Sequence, residues 1–80
     1  MKYDYNNLKE DILIGREIEF SYNGNKYSIS NNKKGFFLTK FEEDYSTFNT
    51  IEELLDKATI DGIKLDEIFK SGNVKDITIF

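Results

Sequence analysis

Cysteine, histidine and proline are all absent from this chain of 80 residues. Without cysteine there is no disulfide and no thiolate-ligated zinc, which excludes a disulfide-stapled secreted scaffold. Without histidine as well, the commonest general base and the thiolate nucleophile are both missing. Neither a Ser-His-Asp nor a Cys-His arrangement can form within one chain. No G-x-x-x-x-G-K-[ST] loop and no G-x-G-x-x-G run is present, and the five glycines fall at turn or cap positions. No apolar run approaches the ~18–20 residues that span a membrane. The first ten residues, "MKYDYNNLKE", have no apolar signal-peptide core. These absences predict a single cytoplasmic domain over residues 1–80, non-enzymatic, with no cofactor, no metal site and no membrane association.

What is present is aromatic and acidic. Seven Phe and five Tyr make up 15% of the chain, and large rings bury much area per residue, which suits a small core. The net charge is −4, unevenly placed. Residues 1–41 hold seven Lys/Arg against five Asp/Glu, a balance of +2, whereas residues 42–80 hold four against ten, a balance of −6. An acidic half repels phosphate, so direct nucleic-acid binding is not expected. It suits either attraction to a basic protein surface or plain solubility.

Periodicity organises the chain. Tyr5, Leu8 and Ile12 recur at helical spacing and Gly15 follows as a terminator, which predicts a helix over about residues 4–14. In "REIEFSYNGNKYSIS", Ile18, Phe20 and Tyr22 alternate with Glu17, Glu19 and Ser21, and Tyr27 and Ile29 alternate with serines. The Asn23-Gly24 pair between them is the favoured type I′ turn, since both positions need φ > 0. That turn predicts a hairpin over 16–31 with Phe20 opposite Tyr27, Ile18 opposite Ile29, Glu19 opposite Ser28 and Ser21 opposite Lys26. "FFLTKF" reads as a third strand over 36–41, apolar on both sides: Phe36 and Leu38 on one, Phe37 and Phe41 on the other. Phe36 and Leu38 are candidates for an exposed apolar contact if the hairpin's second face is wet. The duller alternative is that a terminal segment covers them.

Thr50 and Glu53 stand at capping-box spacing before a stripe of Ile51, Leu54, Leu55 and Ala58, predicting a helix near 51–58. Asp61-Gly62 marks a turn. Leu65, Ile68 and Phe69 predict a short helix near 65–70, and Ile77 and Ile79 a C-terminal strand over 74–79. The expected class is α+β, a small antiparallel sheet with helices on one face.

The least ordinary stretch is "FEEDYSTFNTIEELLDKA". Glu52 and Glu53 are explained by the helix start, where the macrodipole favours carboxylates by about 0.3–1 kcal/mol each. Glu42, Glu43 and Asp44 lie too far ahead of that helix to gain from it. They either guard the edge of the third strand or join the outward acids of the helix in one electronegative area. In the second reading the partner-binding residues are Glu42, Glu43, Asp44, Tyr45, Glu52 and Asp56, with Tyr45 and Phe48 as aromatic anchors. "EEDYSTFNT" lacks the alternating acids and the glycine of a calcium loop.

The runs "REIEFSYNGNKYSIS" and "TFNTIEELLDKATIDGIKLDEIF" resemble short proteins encoded by Gram-positive bacteria and their phages. The likeness covers most of residues 15–69 and its motifs are structural: a turn, a capping box and a second turn. It brings no catalytic residue. It implies a mobile-element context, in which small acidic proteins are often inhibitors of host proteins, anti-CRISPR proteins among them; fold alone does not fix such a role. The expectation from residues and resemblance together is a protein-binding module for a partner with a basic surface, such as a host defence or nucleic-acid-handling protein. Two alternatives stay open: a homodimer or small subunit joined through a sheet edge, and a histidine-free nuclease.

Overall fold

The structure, a computed structural model, describes residues 3–80. Among the described residues, three helices and seven strands follow one another. They are α1 (Tyr5–Leu13), β1 (Ile18–Tyr22), β2 (Asn25–Asn32), β3 (Gly35–Lys40), β4 (Tyr45–Phe48), α2 (Ile51–Lys57), β5 (Thr59–Ile60), β6 (Ile63–Lys64), α3 (Leu65–Lys70) and β7 (Lys75–Ile79). Five strands form one antiparallel sheet in the order β4-β3-β2-β1-β7, and β5-β6 is a separate two-stranded hairpin. The expected α+β class holds.

The first hairpin has the register its turn demands. Ile18 faces Ile29, Glu19 faces Ser28, Phe20 faces Tyr27 and Ser21 faces Lys26. Asn23 and Gly24 both have positive φ, 51° and 80°. The next turn contains only Lys33 and Lys34, because Asn32 pairs with Gly35. The Asn32 side chain accepts a hydrogen bond from the Lys34 N–H (2.7 Å), which holds the reversal locally.

Helix ends are satisfied by side chains and by the chain itself. Asp4 and Asn7 exchange reciprocal bonds at the start of α1, each 3.0 Å. At its end the Arg16 N–H donates to the Asp11 carbonyl (3.0 Å) and the Gly15 N–H to that of Ile12 (3.1 Å), the Schellman pattern. Thr50 Oγ1 accepts from the Glu53 N–H (3.1 Å) and starts α2 as expected.

All three helices lie on the same side of the sheet. That side presents Ile18, Phe20, Tyr22, Tyr27, Ile29 and Leu38, all buried. The helices answer with Leu8 and Ile12 from α1, Leu54 from α2, and Leu65, Ile68 and Phe69 from α3. Phe20 is at the centre: its ring lies 5.1 Å from that of Phe69, edge to face, and 5.7 Å from that of Tyr27, stacked. Full burial of such a side chain contributes about 1.5–3 kcal/mol.

The expected contact pair Phe36 and Leu38 belongs to this core side. Leu38 is only 5% exposed and pairs with Ile29; Phe36 is half-buried against the core. The two-residue turn is the cause. It aligns Leu38 with a core residue of β2, so the strand's other row, headed by Phe37, faces outward. Neither Phe36 nor Leu38 is an available contact surface.

Gly35 is where β3 meets β4. Its φ is 140°, and an added Cβ would collide with the backbone carbonyl oxygen of Phe48. Gly35→Ala is therefore expected to destabilise the chain by more than about 1 kcal/mol. It should also lower hydrogen-exchange protection first at the amides of β3 that bond β4. A denaturation midpoint unchanged from wild type would contradict this placement.

Candidate functional site

The three acids singled out by the sequence lie in the β3–β4 turn. The Lys40 N–H donates to the Asp44 carbonyl (3.0 Å) and the Glu43 N–H to the Lys40 carbonyl (3.1 Å), closing the turn; Glu42 takes the left-handed conformation, φ 66°. Glu43 is ion-paired with Lys40 at 3.0 Å. That hydrogen-bonded carboxylate holds the Lys40 ammonium above the ordinary lysine range, against a smaller opposing effect of desolvation. Glu42 and Asp44 are exposed and have no ion-pair partner among the described residues.

Their neighbour is a hairpin tip, not the outer flank of α2. Asp44, Tyr45 and Ser46 line one cleft with Tyr27, Lys40 and Asp61. The Asp61 carboxylate accepts from Asn23 Nδ2 (3.4 Å), which ties the β5–β6 tip to the β1–β2 turn. One end of the molecule thus gathers three turns, with acids on two of them.

Glu52 and Asp56 are elsewhere. β4 runs away from the acidic turn, and α2 begins after two intervening residues at its far end, so Glu52 in the first turn of α2 lies beyond β4 from Glu42. Asp56 is paired with Lys64 at 3.3 Å. Burial first, and then the charges of Asp66 and Asp56, raise the Tyr5 phenol, which places Asp56 within the helical layer's own group of charges. The expected single electronegative area joining Glu42, Glu43 and Asp44 to Glu52 and Asp56 is divided: the turn is one patch and the helix flank another. The spacing along the chain concealed this because a strand, β4, fills the gap.

Tyr45 opens a different surface. It pairs with Thr39, so its ring stands on the side of the sheet away from the helices, where it is 64% exposed. It meets Phe37 edge to face, ring centroids 6.0 Å apart. Phe37 lies between Ser30 of β2 and Thr47 of β4. Across the same side, Lys26 pairs with Glu19 (3.6 Å) and lies over the ring of Phe41 at 5.2 Å. Lys34 and Asn32 close a shallow groove beside Phe37 and Tyr45. Phe48, expected as a second anchor, is half-buried on the opposite side. Leu13, Ile14 and Phe80 are exposed as well, at the end of α1 and past β7.

Phe37 is the functional candidate that reading the sequence did not single out. The signal was the strand's two apolar rows, but which row faces out depends on turn length. Among the described residues no group of three acids is placed to hold a metal ion, and no helix is long and apolar enough to cross a membrane. Comparison with protein-family models, with curated proteins and with solved structures gave no match. The surface itself is therefore the ground for a functional reading.

Burial pushes the phenols of Tyr3, Tyr5 and Tyr27 upward; Tyr3 also donates a hydrogen bond to Asp11 (2.7 Å) that the ionised form would lose. An unfolded tyrosine titrates near 10. The stabilisation linked to these groups is thus complete below about pH 10 and is lost as pH rises through their higher folded values. Urea midpoints are expected to fall above about pH 10, and less steeply in Tyr3→Phe. A midpoint that climbs with pH in that window would refute the assignment.

Proposed function

We propose that the protein is a non-enzymatic binding module whose partner is a protein with a basic surface. The supporting observation is the juxtaposition at one corner of the sheet. The exposed Phe37–Tyr45 ring pair lies on a helix-free side, and the turn that leads into Tyr45 carries Glu42 and Asp44, two exposed carboxylates without an ion-pair partner among the described residues. An arginine of the partner can lay its guanidinium on the Tyr45 ring, and further cations of the same basic surface can pair with Glu42 and Asp44 in the adjoining turn. Aromatic anchors give the contact its area, and the carboxylates give it orientation and encounter rate. Proteins that grip phosphate backbones carry such basic surfaces, so a nucleic-acid-handling host protein is the partner class to test first. Glu52 and Asp56 are outside this contact.

The test is capture from lysate of cells that encode the chain, followed by affinity measurement on the identified partner. The double reversal Glu42→Lys with Asp44→Lys is expected to weaken binding by about tenfold or more, and Tyr45→Ala by a similar factor. Raising salt from about 0.05 to 0.5 M should weaken the wild-type complex, since exposed pairs are screened. Glu52→Lys should change little. Binding indifferent to salt and to both corner variants would overturn the reading.

A further inference from the structure

The two edges of the sheet are built differently. β7 ends one side, and its edge is interrupted: Asp76 has φ 53°, the pairing with β1 shifts register between Glu19 and Ser21, and Lys75 adds a charge. These are ordinary devices against strand-to-strand association. β4 ends the other side and has none of them. Tyr45, Ser46, Thr47 and Phe48 are uncharged, none has positive φ, and the first three are exposed.

Its outward backbone groups follow from the ladder. Lys40 bonds Asp44, and bonded pairs alternate in an antiparallel ladder. Leu38–Ser46 and Phe36–Phe48 are therefore the other bonded pairs. The N–H and C=O groups of Tyr45 and Thr47 point away from β3, into solvent.

The ends of this edge carry opposite charge. The acidic turn of Glu42, Glu43 and Asp44 precedes β4. At the far end, where Phe48 pairs with Phe36, stands the β2–β3 turn with Lys33 and Lys34. Neither lysine has an ion-pair partner among the described residues. Lys34 belongs to the open side of the sheet, in the groove with Phe37 and Tyr45, while Glu52 and Glu53 lie with α2 on the helical side.

We infer that β4 pairs with β4 of a second copy of this chain, antiparallel about a two-fold axis at Ser46. In that register Tyr45 of each copy faces Thr47 of the other, and their outward groups exchange backbone hydrogen bonds. The two five-stranded sheets become one continuous sheet. The two-fold brings each acidic turn to the Phe48 end of the other copy's β4, the end of the sheet that carries that copy's lysine turn. A parallel arrangement would set like charges together, so the charge pattern selects both the partner and the direction. The two open sides join, with the two Tyr45 rings flanking the seam. Contact over four-residue strands is small, so the association belongs to the weak class of interfaces. It shares the acidic turn and Tyr45 with the basic-partner reading, which needs only one copy, but adds the outward backbone groups of Tyr45 and Thr47 and the lysine turn, so the Thr47 and Lys34 variants test it apart from that reading.

Sedimentation equilibrium over about 20 µM to 2 mM protein reads the association directly. A monomer–dimer equilibrium is expected in wild type. Thr47→Lys places a charge on the edge, and Thr47→Pro removes an outward N–H that the internal ladder does not use. Each is expected to weaken dimerisation by about tenfold or more, with the fold checked by circular dichroism. If one variant fails to fold, the other carries the test. Lys34→Glu should weaken the dimer by about three- to tenfold, and adding Asp44→Lys to it should recover most of that loss. A wild-type monomer at about 2 mM would overturn the proposal. So would a dimer insensitive to the folded Thr47 variants, or one that the charge exchange does not rescue.

Discussion

The ring of Phe20 holds the two layers together. It stacks on Tyr27 within the hairpin and meets Phe69 edge to face from α3. The first contact exists because the Asn23-Gly24 turn sets Phe20 opposite Tyr27. The second exists because α3 is short and delivers Leu65, Ile68 and Phe69 to one side. Phe69 in turn carries Tyr3, whose ring lies 6.2 Å away. A chain of this size buries one core, with a total stability of only about 4–12 kcal/mol at typical values per residue. A local turn choice is thereby converted into the docking of a helix far along the chain.

Covering one side of the sheet uses up the helices. The other side is kept compatible with water by small hydroxyls: Ser21, Ser28 and Ser30 on the hairpin, Thr39 on β3, Thr47 on β4. Ser28 is nevertheless buried, because the side chains around it are longer. Lys26 spreads its stem across this side, with its ammonium between Glu19 and the ring of Phe41. Against this background Phe37 and Tyr45 are the departure. Their rings meet each other and not the core, an arrangement suited to making contact with something else.

Much of the architecture could be read from the chain. The hairpin's turn and alternation agreed, so its register was legible residue by residue. The helix starting at Ile51 was marked by Thr50, and the helix over Leu65–Lys70 by its apolar spacing. β4 was not legible. It is four residues long, two of them Ser and Thr, and it lies between an acidic run and a capping signal. Without it, the acids before and after it look contiguous. The identity of the outward row of β3 was also hidden, because Phe-Phe-Leu supplies apolar residues to both rows and only the pairing decides between them. Tyr45 stands out by its acidic surroundings, but its ring partner Phe37 depends on a register that "NNKKG" does not announce as clearly as Asn23-Gly24 does.

The two-residue reversal at Lys33-Lys34 has a broader implication for how such a surface arises. Strand β3 is nearly ambidextrous: exchanging its rows would send Phe37 inward and Leu38 outward, one large apolar group for another. A single inserted residue in that loop would invert the parity of the strand. The exterior of this fold is thus governed by loop length more than by strand composition. A lineage could trade one aromatic display for another by a codon insertion, leaving every residue of the strand unchanged.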